Sequence, residues 1–120
     1  MGRPSIIEPE PVPLPDSELV AKLFRALGDG TRLRIVEMLL EGPRYQKEIV
    51  DAVGLSQGRV SQHLACLTWC GFIEAEREGR LVRYRVTNPR VVALVDLATA
   101  FLDSNEAGIA ACRRVDSVSS

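Results

Sequence analysis

The run Gly54-Leu55-Ser56-Gln57-Gly58-Arg59-Val60-Ser61-Gln62-His63-Leu64-Ala65-Cys66-Leu67-Thr68-Trp69-Cys70 supplies the periodicity from which the rest of the chain is ordered. Gly54 suits a tight turn and Ser56 suits a helix N-cap. Val60, Leu64 and Leu67 recur at spacings of four and three, so a helix from about Gln57 to Trp69 turns them inward. Gln57, Arg59, Gln62, His63, Cys66 and Cys70 then fall on the complementary face. Just upstream, roughly Tyr45 to Val53 reads as a short helix that offers Ile49, Val50 and Val53 to a core. Two helices joined by a short Gly-containing turn, the second polar on its outer side, form a helix-turn-helix.

Beyond Gly71 the pattern changes from helical to alternating. Phe72 to Arg77 and Leu81 to Val86 flank Glu78-Gly79-Arg80, which predicts a β-hairpin with an arginine at its tip. A hairpin directly after a helix-turn-helix is a wing. Asn88 and Pro89 then suit the start of a last helix, and Val91 to Leu102 is apolar on nearly every side. Such a helix needs two surfaces to bury it. One is the domain; the other is either a second copy, the reading preferred here, or deeper packing within one chain.

Toward the N-terminus, Gly42-Pro43 stops a helix that begins near Thr31 and buries Leu33, Ile35, Val36, Leu39 and Leu40. Gly28-Asp29-Gly30 separates it from a first helix, capped by Asp16 and Ser17, whose stripe is Leu19, Val20, Leu23, Phe24 and Leu27. Pro4, Pro9, Pro11, Pro13 and Pro15 make residues 1–15 an extended arm. The expected organisation is thus that arm, a mainly α, dimeric winged helix-turn-helix domain over residues 16–104 with a small β-hairpin, and a C-terminal tail over 105–120.

The 120 residues, 46% apolar and 26% charged, allow one modest core. No apolar run is long enough to cross a bilayer, and no basic segment followed by an apolar one opens the chain. The expected location is the cytoplasm, with no membrane partner. The net charge of −1 conceals a partition. Residues 56–90 hold six arginines (59, 77, 80, 83, 85, 90) against Glu74, Glu76 and Glu78, a net of +3, while the flanking parts are each at −2. Concentrated positive charge is what phosphate contact requires, although a solvated hairpin shows the same composition. Gln57, Gly58, Arg59, Ser61, Gln62 and His63, with Arg77 and Arg80 from the wing, are the candidate contacts to double-stranded DNA. A protein-binding winged helix is the rival without DNA. An enzyme is not expected: there is one histidine, no acid placed beside it and no GxxxxGK phosphate loop.

Cys66, Cys70 and Cys112 are an odd number of thiols, so they cannot all pair within one chain. Cys66 and Cys70 are four apart and project from one helix face about a turn apart. With Cys112 they make a set of three sulfurs suited to soft ions. Inert core packing and a redox pair are the alternatives, and Cys66 lies off the Val60–Leu64–Leu67 face where a core filler belongs. Trp69, between the two thiols, is expected to be partly buried against the wing.

Leu27-Gly28-Asp29-Gly30-Thr31-Arg32-Leu33-Arg34-Ile35, Val60-Ser61-Gln62-His63-Leu64 with Leu67, and Gly79-Arg80-Leu81-Val82-Arg83-Tyr84 are similar, in order, to the signatures of ArsR/SmtB-family metal-sensing repressors. The likeness spans roughly residues 17–104. It implies a homodimeric winged-helix repressor that leaves its operator when a metal binds, although some members sense other signals. Arg44 to Ile49 lacks the Cys-x-Cys of the family's arsenic-type site, and Asn88 to Asn105 lacks the histidines of its zinc-type site. Leu64-Ala65-Cys66-Leu67-Thr68-Trp69-Cys70-Gly71 with Cys112 resembles the CmtR-type cadmium- and lead-sensing subgroup. By that resemblance Cys66 and Cys70 bind the effector with Cys112 of the partner subunit. The implied effector is Cd(II), Pb(II) or Hg(II), with no organic cofactor. As(III) sensing on the same architecture and thiol redox sensing are the alternatives.

Overall fold

Short polar side chains cut the chain into helices where capping chemistry demands. The computed structural model describes residues 14–118. Its elements are α1 (Leu14–Leu27), α2 (Gly30–Leu40), β1 (Arg44–Tyr45), α3 (Gln46–Val53), α4 (Gln57–Trp69), β2 (Glu74–Glu78), β3 (Leu81–Arg85), α5 (Pro89–Ala111) and α6 (Arg113–Val118). The Asp29, Ser56 and Asn88 side chains accept from the backbone N–H groups of Arg32, Arg59 and Arg90 at 3.0, 3.2 and 2.9 Å, so each satisfies an orphan donor at a helix start. At α3 the Glu48 carboxylate reaches back to the N–H of Tyr45 at 2.8 Å, half of a capping box.

The three strands form an antiparallel sheet in the order β1-β3-β2. Glu78 pairs with Leu81 across the two-residue turn Gly79-Arg80, and Gly79 takes φ 64°, a left-handed conformation that favours glycine. β1 is an addition to the expected hairpin: only two residues long, it carries no alternation for sequence reading to detect. Phe72 and Ile73, expected in the hairpin, instead precede β2 and are buried under it.

The core joins Ala26, Ile35, Val36, Leu39, Ile49, Val60, Leu64, Leu67, Phe72, Ile73, Val91 and Val95. Every element from α1 to α5 except the strands contributes to it, and Tyr84 and Val86 pack on it from the wing side. Leu33, Leu40, Val50 and Val53 are half-buried at its margin.

Three expectations need correction. α1 begins at Leu14, so Asp16 lies in its first turn and does not cap it, and Pro15 is accommodated because a first-turn residue has no intrahelical N–H bond to lose. The arm expected over 1–15 otherwise lies outside the described residues. Trp69 is 92% exposed and does not pack on the wing. It follows Leu67 by two residues, which on a helix points it nearly opposite to the buried side. Finally, α5 continues through residue 104 to Ala111 and brings the start of the expected tail into the same helix.

Candidate DNA-binding face and thiol site

α4 presents its two chemistries at opposite ends. At the N-terminal half, Gln57, Gly58, Arg59 and Gln62 are exposed. Ser61 and His63 are half-buried and have internal partners: Gln46 Nε2 donates to Ser61 Oγ at 2.9 Å, and Arg32 Nη1 lies 3.3 Å from His63 Nδ1. The turn that aims this helix depends on Gly54, whose φ of 79° ends α3 in the left-handed region while its N–H donates to the Val50 carbonyl at 3.0 Å. A Cβ at Gly58 would meet nothing within 4 Å, so no packing inside the chain requires glycine there.

The wing sorts its arginines into two kinds. Arg83 pairs with Glu76 at 2.9 Å and Glu78 at 3.1 Å, and Arg85 with Glu76 at 3.5 Å. The Tyr45 hydroxyl donates to Glu78 at 2.9 Å and joins β1 to the hairpin. The Arg83 hydrogen bond and the Arg85 charge hold the Glu76 carboxyl below its usual range, and donation to Glu78 pushes the Tyr45 hydroxyl up. Arg77 and Arg80, by contrast, have no ion pair among the described residues and are exposed. The +3 of the segment is therefore partly neutralised along the wing strands and left open at Arg59, Arg77, Arg80 and Arg90.

Between α3, the start of α4 and the wing runs an open cleft of about 450 Å³, lined among others by Gln46, Lys47, Gln57 and Arg80. Lys47 and Gln46 were missed in the sequence. The available signal was position, since they open the first helix of the pair, the one that crosses a DNA backbone in helix-turn-helix proteins.

At the other end of α4, Cys66 is half-buried and Cys70 exposed, and the two stand one turn apart, the Cys70 N–H donating to the Cys66 carbonyl at 3.0 Å. Burial raises the Cys70 thiol above its usual value and Cys66, through charge and hydrogen bond, raises it further, while Lys22 and Arg32 oppose the rise. Cys70 also lines a groove of about 220 Å³ with Leu19, Lys22, Leu23 and Phe72. Cys112 caps the C-terminus of α5 and does not join the pair: among the described residues no three His, Cys, Asp or Glu side chains form a metal-holding group. The donor set within one chain is thus two adjacent soft sulfurs, which fits a thiophilic ion that takes a further sulfur from outside the chain.

α1 and α5 carry a large apolar surface. Leu19 is 63% exposed, Phe24 55%, Leu97 69% and Phe101 62%. A groove of about 300 Å³ between the helices is lined mainly by Phe24, Leu27, Leu33, Leu94, Ala98 and Leu102. No helix among the described residues is long and apolar enough to cross a membrane.

Comparison with known proteins adds three findings. The family model for "Bacterial regulatory protein, arsR family" matches residues 29–75, from the Asp29 cap to the start of the wing. The chain is 43% identical over 104 residues to a "probable mercury resistance operon repressor" of Streptomyces lividans, covering 87% of this chain and 83% of the relative. It is 42% identical over 84 residues to the HTH-type transcriptional regulator CmtR of Mycobacterium tuberculosis, covering 69% and 71%. Among solved structures it is similar to the homodimeric winged helix-turn-helix DNA-binding domain of a possible ArsR-family transcriptional regulator from Mycobacterium bovis, with TM-score 0.65 and 31% identity over 75% of this chain and 86% of the other.

Proposed function

Because the chain belongs to the arsR family of bacterial regulatory proteins, we propose that it is a homodimeric transcriptional repressor that releases operator DNA when a soft, thiophilic ion binds Cys66 and Cys70 with Cys112 of the partner subunit. One observation carries the reading: the two thiols, one helical turn apart, stand at the C-terminal end of the same helix that exposes Gln57, Arg59 and Gln62 at its start. A dimer is supported by the uncovered α1 and α5 surface and by the homodimeric M. bovis relative.

In this mechanism the N-terminal half of α4 enters the major groove, where Gln57, Arg59 and Gln62 offer amide and guanidinium groups to base edges and phosphates. Arg80 and Lys47 on the cleft walls bind the flanking backbone. Cys66 and Cys70 hold the effector, and a third sulfur from the partner ties the end of α4 to the other subunit. The ion supplies that cross-link and its charge. Linkage makes the effect reciprocal, so DNA weakens ion binding by the factor by which the ion weakens DNA binding. Thiols must lose protons to bind, so ion affinity rises with pH.

The choice among Cd(II), Pb(II), Hg(II) and As(III) is left to a DNA-release titration under reducing conditions, with Zn(II) as the control. Release by a three-thiolate ion, lost in Cys66→Ser, Cys70→Ser and Cys112→Ser, is the expected result. Release by Zn(II) alone, or unchanged release in all three variants, refutes the site. The spacing of the two free thiols, one turn apart on α4, favours one second reading, in which hydrogen peroxide takes two hydrogens from Cys66 and Cys70, forming a disulfide and two waters. DNA release by peroxide without any ion would support it.

A further inference from the structure

Arg32 opens α2 beside the Asp29 cap, and its guanidinium spans two other helices. Nε donates to the Ala26 carbonyl at 2.7 Å and Nη2 reaches the Arg25 carbonyl at 3.4 Å. These carbonyls close α1 and form the negative end of the helix dipole, that of Arg25 also accepting from the Gly28 N–H at 3.1 Å. Nη1 lies 3.3 Å from Nδ1 of His63 in α4. A guanidinium only donates, so Nδ1 accepts and the ring proton sits on Nε2. The planar fork of arginine can hold a carbonyl and an imidazole at once; the single ammonium of lysine cannot reproduce that geometry.

His63, Cys66 and Cys70 follow at spacings of three and four, so they share one stripe of α4. That stripe faces α1 at both ends. Cys70 shares its groove with Leu19, Lys22 and Leu23 of α1, and His63 is joined to the end of α1 through Arg32.

We propose that Arg32 is the positioning residue that couples the Cys66–Cys70 pair to the DNA-reading half of α4, by clamping His63 to the C-terminal end of α1. The proposal rests on the metal-responsive reading above and deepens it. A shift of the thiol end of α4 against α1 has to rearrange the contacts of a planar group with partners on both helices. His63 follows Gln62 directly, so the rearrangement reaches the exposed face. Without the clamp, ion and DNA still bind, but each ceases to affect the other.

The test measures DNA affinity with and without Cd(II), in reducing buffer, for wild type, Arg32→Gln and Arg32→Lys. The probe is a duplex selected from random sequence by the wild-type protein. His63 is the only histidine of the chain, so its ring nitrogens give one unambiguous signal in a long-range proton–nitrogen spectrum. In wild type, Cd(II) weakens DNA binding by about 5- to 150-fold, the usual span of allosteric coupling, and shifts the His63 signal of an Nε2–H tautomer. In Arg32→Gln that ratio falls toward one while Cd(II) affinity stays within about threefold, and the tautomer preference is lost; Arg32→Lys lies between. A merely structural role would lower Tm and leave the ratio intact. A wild-type ratio above one that Arg32→Gln or Arg32→Lys retains in full overturns this proposal alone. So does a wild-type His63 that carries its proton on Nδ1, a result that needs no variant to fold. A wild-type ratio of one overturns the metal-responsive reading and this proposal together.

Discussion

In α4, Val60, Leu64 and Leu67 are completely or almost completely buried, whereas in α5 the equally apolar Leu97 and Phe101 stand 69% and 62% exposed. The difference separates two regions. The body, formed by α2, α3, α4 and the wing, satisfies its own caps, its core and the paired charges of its wing strands within one chain. The α1–α5 pair buries Ala26, Val91 and Val95 against that body, with Leu27 and Leu94 half-buried at the margin, and leaves most of its other apolar side chains exposed. Equal hydrophobicity therefore has different meanings in the two places. In the body it specifies a fold; in the pair it specifies a demand for a second surface.

The largest test of this contrast removes the second surface. Leu97→Glu combined with Phe101→Glu should yield monomers by sedimentation equilibrium, with helix content kept. Because two linked reading heads gain greatly over one, operator affinity should fall by about 100-fold or more in a binding titration. A variant that still sediments as a dimer would put the second copy on another face. Within the body, Leu64→Ala should cost about 2–5 kcal/mol in urea unfolding, the usual range for a truncated buried leucine. Its effect on DNA binding should follow the loss of folded protein and nothing more. A cost near zero would show that the body is not closed.

The same contrast explains what was legible in the sequence. The body was read nearly element by element, because Val60, Leu64 and Leu67 betray a helix locally and Asp29, Ser56 and Asn88 mark where helices start. β1 was not, since Arg44–Tyr45 owes its strand form to pairing with Tyr84 and Arg83 far along the chain. Trp69 was misplaced because an aromatic beside a wing suggests packing, while its angular position around α4 points it outward. Cys66 and Cys70 could be paired from a spacing of four. Arg32 could not be assigned its place, because its partners Ala26 and His63 are joined only by the tertiary fold.

A smaller effect lies at the Asp29 cap, where the two regions meet. Burial raises this carboxyl, but the Arg32 N–H, the Arg32 charge and the Thr31 N–H outweigh it, so the folded value lies below the ordinary one. A carboxyl lowered on folding stabilises the protein fully above its unfolded pKa of about 3.9. That contribution is lost as pH falls through the lower folded value. Asp29→Ala should cost about 0.5–2 kcal/mol near neutral pH, and acid titration followed by circular dichroism should show a shallower loss below about pH 4 than in wild type. An unchanged acid limb would mean that the cap does not hold α2 in solution.

The smallest expected change separates a residue kept for the body from one kept for what the body touches. Gly58 lies inside α4 without a left-handed φ, and a Cβ there would meet no atom of the chain within 4 Å. Gly58→Ala should therefore stabilise the fold by about 0.5–1 kcal/mol, because alanine loses less backbone freedom in a helix. If α4 approaches DNA closely at this turn, the added methyl should at the same time weaken operator binding. Opposite signs in the two measurements have no explanation within the chain, since a better-formed helix with intact packing should read DNA at least as well. A gain in stability with unchanged or tighter binding would move the closest approach away from Gly58, toward Arg59 and Gln62 on the neighbouring turn. A loss of stability would instead reveal a packing requirement at Gly58 and place it with the body after all.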